Sequence, residues 1–98
     1  NTVGIIKLYD QKPNIYAYPN PAIDQVRFDV INIPNGKYDL NIYNILGVKV
    51  WSNNYDFNNS VDTIQLDINN FKKGTYLYSL VNEKGKTLAT RRLVILRP

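Results

Sequence analysis

Residues 74–88 read GTYLYSLVNEKGKTL, and residues 36–50 read GKYDLNIYNILGVKV. Both stretches run from a glycine through alternating positions to an asparagine, and a second glycine follows three residues later. Alternation with a period of two predicts a half-buried strand, and a break with asparagine and glycine predicts a hairpin turn. The stretches superimpose at an offset of 38 residues, which places Tyr38 on Tyr76 as inward, core positions. The chain therefore contains two copies of one hairpin.

The composition limits the chemistry available to the chain. It has 98 residues, which predicts a single domain that buries about two-thirds of its unfolded surface. The absence of cysteine excludes disulfides and thiolate metal sites. The absence of histidine removes the usual general base near neutral pH and the commonest nitrogen ligand of zinc. We therefore expect no enzyme, and no catalytic, metal or cofactor site.

The charge distribution and the start of the chain give two further expectations. The net charge of +4 comes mostly from the two ends of the chain, and we expect a solvated surface rather than a nucleic-acid partner. No run of 18 apolar residues is present to predict a membrane span. The chain starts at Asn1, so we interpret residues 1–14 as a linker or leading strand from a preceding part, and residues 15–98 as the domain.

The remaining segments also predict strands. Residues 15–22 contain two prolines, which predicts an edge strand that runs into a turn. Residues 25–31, 61–68 and 87–96 form further strands, whereas the polar residues 52–60 are predicted to be a loop. No segment has a helical period. The chain is predicted to be an all-β, immunoglobulin-like antiparallel β-sandwich of about seven strands of Greek-key type, with the two hairpins in related places, for example one in each sheet.

Several motifs, in this order, resemble the type A C-terminal sorting domain of the type IX (Por) secretion system of Bacteroidetes. The resemblance covers over four-fifths of the chain. It includes a proline–asparagine–proline element, two glycine-x-tyrosine strand starts, two turn glycines and a basic, apolar last strand. The motif positions are Pro19, Asn20, Pro21, Gly36, Tyr38, Gly47, Gly74, Tyr76 and Gly85.

The resemblance implies a non-enzymatic signal. Members of this family are immunoglobulin-like domains at the C-terminus of secreted cargo, which is carried through the periplasm to the cell surface or released. The outer-membrane machinery reads the domain, and a surface sortase typically removes it and joins the protein to anionic lipopolysaccharide. The ending Leu96-Arg97-Pro98 departs from the lysine-bearing ends of many members. The domain is therefore either removed, or retained on a surface component of the secretion machinery.

The last strand is the predicted recognition element. The resemblance maps it onto Arg91, Arg92, Leu93, Val94, Ile95, Leu96 and Arg97. Alternation places Leu93 and Ile95 on one side and Val94 and Leu96 on the other. A terminal strand with unpaired backbone groups is open to strand addition by a receptor, or to strand exchange between two copies.

A carbohydrate-binding or spacer module is the alternative from a different class. It would require a row of exposed aromatic side chains on which sugar rings stack. The candidates for this row are Tyr16, Tyr18, Tyr43, Trp51 and Tyr55.

Overall fold

The computed structural model describes residues 12–97, which form seven strands. The strands are β1 (Asn14–Tyr18), β2 (Gln25–Ile31), β3 (Gly36–Tyr43), β4 (Lys49–Phe57), β5 (Val61–Asp67), β6 (Gly74–Asn82) and β7 (Thr87–Ile95). Residues 12–97 contain no helix, and so no helix among them could cross a membrane. The prediction that residues 1–14 are a linker or leading strand falls mostly on residues 1–11, which lie outside the described residues.

The strands form two sheets that pack face to face. One sheet has the order β1-β2-β5 and the other has the order β4-β3-β6-β7, and every pairing between these strands is antiparallel. The chain changes sheet between β2 and β3, between β4 and β5, and between β5 and β6. This arrangement confirms the predicted immunoglobulin-like sandwich. The expectation of one hairpin in each sheet is wrong, because β3–β4 and β6–β7 lie in the same sheet, joined through β3 and β6.

The core lies between the sheets and consists of the inward-facing residues of each strand. Val26, Phe28 and Val30 of β2 are completely buried, while Gln25 and Arg27 are exposed. The ring of Phe28 meets that of Tyr78 edge-on, with the centroids 5.0 Å apart, and this contact joins the two sheets. The alternation seen in the sequence therefore corresponds to one dry and one wet face of each sheet.

The two hairpins are alike down to single hydrogen bonds. In the first turn, the Asn44 side-chain Oδ1 accepts from the N–H groups of Leu46 and Val48; in the second, Asn82 Oδ1 accepts from Lys84 and Lys86. Both strand pairs contain a bulge at equivalent positions, after Ile42 and after Leu80. Asn41 pairs with Ser79, and these two positions are equivalent in the repeat, so a local two-fold axis passes between them.

Each copy also begins with a tyrosine that closes a corner. The Tyr38 hydroxyl donates to the Pro34 carbonyl oxygen at 2.5 Å, and the Tyr76 hydroxyl donates to that of Lys72 at 2.6 Å. A tyrosine bonded to the backbone a few residues upstream is typical of immunoglobulin-like folds. Burial, together with the nearby charge of Glu83, raises the pKa of Tyr38.

The predicted loop over residues 52–60 is wrong in its first part, because β4 continues to Phe57. This strand lies at the edge of its sheet and exposes most of its side chains, so its asparagines cost little and leave no clear alternation. The inward positions Trp51 and Tyr55 are only half-buried, and Phe57 alone is fully covered. Sequence periodicity therefore underestimates the length of this strand.

Candidate functional site

The predicted recognition strand, β7, forms one edge of the four-stranded sheet. Its inner edge pairs with β6 along its whole length, from Thr87 to Ile95. Leu93 and Ile95 are buried in the core, Val94 is half-buried and Leu96 is exposed. The predicted division of these four side chains between two sides of the strand agrees with the structure, and the inward pair has a plain structural role.

The outer edge of β7 is covered by the proline–asparagine–proline element. Asn20 Nδ2 donates to the Arg92 carbonyl oxygen at 2.8 Å, and the Val94 N–H donates to Asn20 Oδ1 at 3.0 Å. Next to it, the Ala22 N–H donates to the Val94 carbonyl oxygen, and the Leu96 N–H donates to the Ala22 carbonyl oxygen, both at 2.8 Å. The prediction of unpaired backbone groups on the terminal strand is therefore wrong for residues 92–96.

The reason lies in the local sequence of this element, which we name the edge clasp (residues 19–22). Pro19 and Pro21 have no N–H group and cannot extend a strand ladder, so β1 ends at Tyr18. Both prolyl bonds, Tyr18–Pro19 and Asn20–Pro21, are cis. Between the prolines, the Asn20 side chain offers the donor and acceptor that a neighbouring strand would supply, and Ala22 adds a short parallel bridge to Ile95.

Arg97, which follows β7, forms hydrogen bonds to two loops. Its guanidinium donates to the carbonyl oxygens of Ile23 and Ile68, and to that of Phe71 at 2.7 Å. Ile23 lies in the β1–β2 loop, whereas Ile68 and Phe71 lie between β5 and β6. A planar guanidinium with five donors suits this cluster of carbonyls, and such charge-assisted bonds are strong. Arg97 thus stabilises the sandwich and is only partly accessible.

Arg91 and Arg92 differ in their surroundings. The Arg91 guanidinium lies over the Tyr16 ring, 4.4 Å from its centroid, and its Nε donates to Asn14 Oδ1 at 3.0 Å. Arg92 is exposed beside Leu77, its partner in β6. Both arginines line an open groove of about 590 Å³ between the edges of β1 and β7. The exposed part of the predicted recognition strand is thus Arg91, Arg92 and Leu96.

Beneath this groove, Tyr78 connects the two edges. Its ring is buried in the core, and its hydroxyl accepts a hydrogen bond from the Ala17 N–H at 3.0 Å. Burial raises the pKa of Tyr78; the Ala17 hydrogen bond and the charge of Arg91 act in the opposite direction, and Tyr16 adds a small further increase. The phenol is therefore held in its neutral form, where it ties β1 to β6.

The structure brings only part of the predicted site together. Pro19, Asn20 and Pro21 lie against β7, next to the exposed arginines. The other motif residues belong to the two hairpins, where they shape turns and corners: Gly36, Tyr38, Gly47, Gly74, Tyr76 and Gly85. Sequence reasoning missed the participation of Asn14, Tyr16 and Ala22 in this site. Their partners are more than 70 residues away in the chain, so no local pattern could reveal them.

The candidate aromatic residues do not form one row. Tyr16 and Tyr18 face outwards on β1, and the Tyr18 ring packs against Arg27. Trp51 and Tyr55 are half-buried at the rim of the core on β4, and the Tyr55 ring stacks on that of Phe57. Tyr43 lies on the outward face of the four-stranded sheet. These positions offer no shared platform for a sugar.

Comparisons with known proteins agree with the sequence motifs. A family model, the secretion system C-terminal sorting domain, matches residues 16–96. No curated protein matches the sequence. One similar solved structure is PorZ, an essential bacterial surface component of the type-IX secretion system of Porphyromonas gingivalis. The TM-score is 0.60 at 16% identity, and the match covers 86% of this chain but 12% of that chain.

The crystal structure of CHIR-AB1 is also similar, with a TM-score of 0.54 and 14% identity over 88% of this chain and 99% of that chain. At such identities these two likenesses concern the immunoglobulin-like fold alone. The family match, by contrast, spans β1 to β7 and includes the edge clasp and the terminal strand. The chain belongs to the family of C-terminal sorting domains of the type IX secretion system.

Proposed function

We propose that this domain directs its parent protein across the outer membrane through the type IX secretion machinery and on to the cell surface. Membership of the sorting-domain family supports export through this system. The attachment of the parent protein at the surface is the finer part of the proposal. The domain acts as a folded address and carries out no chemistry of its own.

The observation that carries the proposal is the arrangement of β7 and the edge clasp. The clasp occupies the outer backbone edge of residues 92–96, and Leu93 and Ile95 are in the core. A receptor that reads the native domain therefore contacts side chains rather than an open strand edge. Arg91, Arg92 and Leu96 are the accessible side chains, and they are recognised together with the surface of the clasp.

A passenger fusion tests the proposal. A monomeric fluorescent protein with a periplasmic export signal is joined to the N-terminus of the chain and expressed in a type IX-competent host and in an isogenic host that lacks the system. We expect passenger at the cell surface or in the medium only in the competent host, with passenger retained in the periplasm of the other. Equal surface display in both hosts would refute the proposal.

The fate of the domain distinguishes two versions of the proposal. In the first, a surface sortase removes the domain and links the parent protein to anionic lipopolysaccharide; in the second, the domain is retained on a surface component of the machinery. Mass spectrometry of the exported fusion separates them. Loss of all peptides from residues 15–98 indicates removal, whereas peptides that contain Arg97 on the surface protein indicate retention.

We also propose a test for a strand-exchanged dimer, in which two copies of the domain exchange β7. Exchange of β7 would break the hydrogen bonds that Asn20 and Ala22 make to it and would withdraw Leu93 and Ile95 from the core. An equal number of bonds would then form with the second copy. Size-exclusion chromatography with light scattering would detect this dimer, and the clasp predicts that it forms slowly.

A further inference from the structure

The turn between β3 and β4 carries an exposed apolar tip. Ile45 is 80% exposed, Leu46 is 83% exposed and Val48 is 55% exposed. We name these three residues the apolar tip. Large aliphatic side chains so exposed are less favourable in water than in an apolar environment. A contiguous group of them on a soluble domain marks a surface that contacts something else.

The second hairpin supplies an internal comparison. Its turn has the same hydrogen bonds, with Asn82 in place of Asn44, and the turn glycines have nearly the same φ, 82° at Gly47 and 84° at Gly85. At the positions of the apolar tip, however, it carries Glu83, Lys84 and Lys86. The turn geometry therefore does not require apolar residues, and the tip has another purpose.

Basic side chains surround the apolar tip. Lys49 follows it directly in the chain, and Ile45 shares an open groove of about 680 Å³ with Lys72 and Lys73. Asp67 is the acidic residue that lines this groove, and its Oδ1 accepts hydrogen bonds from the backbone and side-chain amides of Asn69 at 2.9 Å. The surface around the tip therefore combines apolar side chains with a surplus of positive charge.

We propose that the apolar tip inserts into an anionic lipid bilayer while the neighbouring lysines contact its headgroups. A stable protein interface needs about 800 Å² of complementary surface from each partner, which three aliphatic side chains do not offer. A fluid bilayer can accommodate a small apolar group without a preformed complementary surface. Peripheral proteins commonly bind membranes by inserting apolar side chains while nearby lysines are attracted to anionic headgroups. The tip lies at the end of the sheet where β6 begins and β7 ends, so the contact would place this end of the sheet nearest to the membrane. This inference does not depend on the proposed recognition of β7.

Vesicle binding tests the proposal with the whole 98-residue chain. Co-sedimentation with vesicles of phosphatidylcholine alone is compared with co-sedimentation in which a third of the lipid is phosphatidylglycerol. Trp51, the single tryptophan of the chain, lines the groove beside the tip and reports insertion by a blue shift of its fluorescence. We expect binding and a blue shift with the anionic vesicles, and much weaker binding with the neutral ones.

Two pairs of variants give the matched comparison. Ile45→Ser with Leu46→Ser removes the two most exposed side chains of the apolar tip without changing the net charge, and we expect a loss of affinity of roughly ten-fold or more per side chain. Glu83→Ser with Lys84→Ser changes the equivalent positions of the other turn, also without changing the net charge, and should bind as the original chain does. Lys72→Gln with Lys73→Gln should weaken binding about five-fold per lysine.

Two outcomes would overturn the proposal. If the chain binds neither kind of vesicle, the tip does not insert into a bilayer, and a loss of passenger export in the serine variant would then indicate a protein partner. If the serine variant binds anionic vesicles as tightly as the original chain, the attraction comes from dispersed charge and the tip does not insert. Thermal unfolding of each variant checks that it is folded. We expect the tip variant to fold, because the second turn has the same hydrogen bonds with polar residues at these positions.

Discussion

At the scale of single residues, the Asn20 side chain forms the hydrogen bonds that an additional strand would form with the edge of β7. Its side-chain amide bonds to the carbonyl of Arg92 and the N–H of Val94, two groups that an additional strand would pair with. The prolines on both sides of Asn20 have no N–H group to donate to this edge. The family motif therefore has a physical explanation here, because it protects the edge of the strand that ends the sheet.

Replacement of Asn20 by alanine should loosen this edge. The substitution removes two hydrogen bonds, each typically worth about 0.5–1.5 kcal/mol, so we expect the free energy of unfolding to fall by about 1–2 kcal/mol in urea denaturation. Asn53→Ala is the control, because the side chain of Asn53 bonds only within β4 among the described residues. Its effect should stay below about 0.5 kcal/mol. Similar losses for both variants would mean that the clasp does not stabilise the fold.

Because Tyr78 is buried, we expect the free energy of unfolding to fall at alkaline pH. Burial raises the pKa of its phenol above the usual value of 10.0, so the folded state binds this proton more tightly than the unfolded state. The stabilisation is complete below pH 10 and decreases as the pH rises through the folded-state pKa. Urea denaturation from pH 7 to pH 11 should show this decrease, with a shallower slope in Tyr78→Phe than in the exposed control Tyr18→Phe. Identical slopes in the two variants would contradict the assignment.

At the scale of elements, the domain is built from one hairpin used twice about a local two-fold axis. The axis passes between Asn41 and Ser79, both buried although they lie on the outward face of the sheet. The Ser52 hydroxyl donates to Asn41 Oδ1 at 2.6 Å, which satisfies a polar group at this crowded centre. The two copies differ in sequence: the turn of the first hairpin, between β3 and β4, is apolar, whereas the second strand of the other hairpin is the basic strand β7.

Equivalent turns should respond equally to equivalent substitutions. Gly47 and Gly85 have φ of 82° and 84°, and an added Cβ would meet nothing within 4 Å at either position. Gly47→Ala and Gly85→Ala should therefore each cost about 1–2 kcal/mol, the conformational penalty of a left-handed residue. The free energies of unfolding of both variants check this. A large loss in one variant and none in the other would show that the turns are not equivalent in energy.

The sequence alone predicts the hairpins and most strands. In residues 25–31, for example, apolar and polar residues alternate because one face of the strand is buried. The pairing of the hairpins is not predictable from local patterns, since the paired residues of β3 and β6 are 34 to 44 positions apart in the chain. The clasp was recognised as a motif, but its role was missed because its partner lies 72 residues away. The sequence predicts too short a strand β4, because an edge strand that exposes most of its side chains shows no alternation of apolar and polar residues.

At the scale of the whole molecule, β7 has a structural role, and we propose that it also has a recognition role. Leu93, Ile95 and Arg97 hold the sandwich together, the first two in the core and the third through loop carbonyls. Arg91, Arg92 and Leu96 remain accessible at the edge. If β7 is recognised as we propose, only the folded domain presents these side chains, so the receptor would also verify that the domain has folded.

The export of charge-matched variants tests this account most directly. In the passenger fusion, Arg91→Ala with Arg92→Ala removes two positive charges from β7, and Lys84→Ala with Lys86→Ala removes two from the turn of the same hairpin. Thermal unfolding confirms that both variants are folded. We predict that the arginine variant loses surface export at least ten-fold in the competent host, while the lysine variant is exported normally. Normal export of the arginine variant, or an equal loss in both, would contradict recognition through the exposed side of β7.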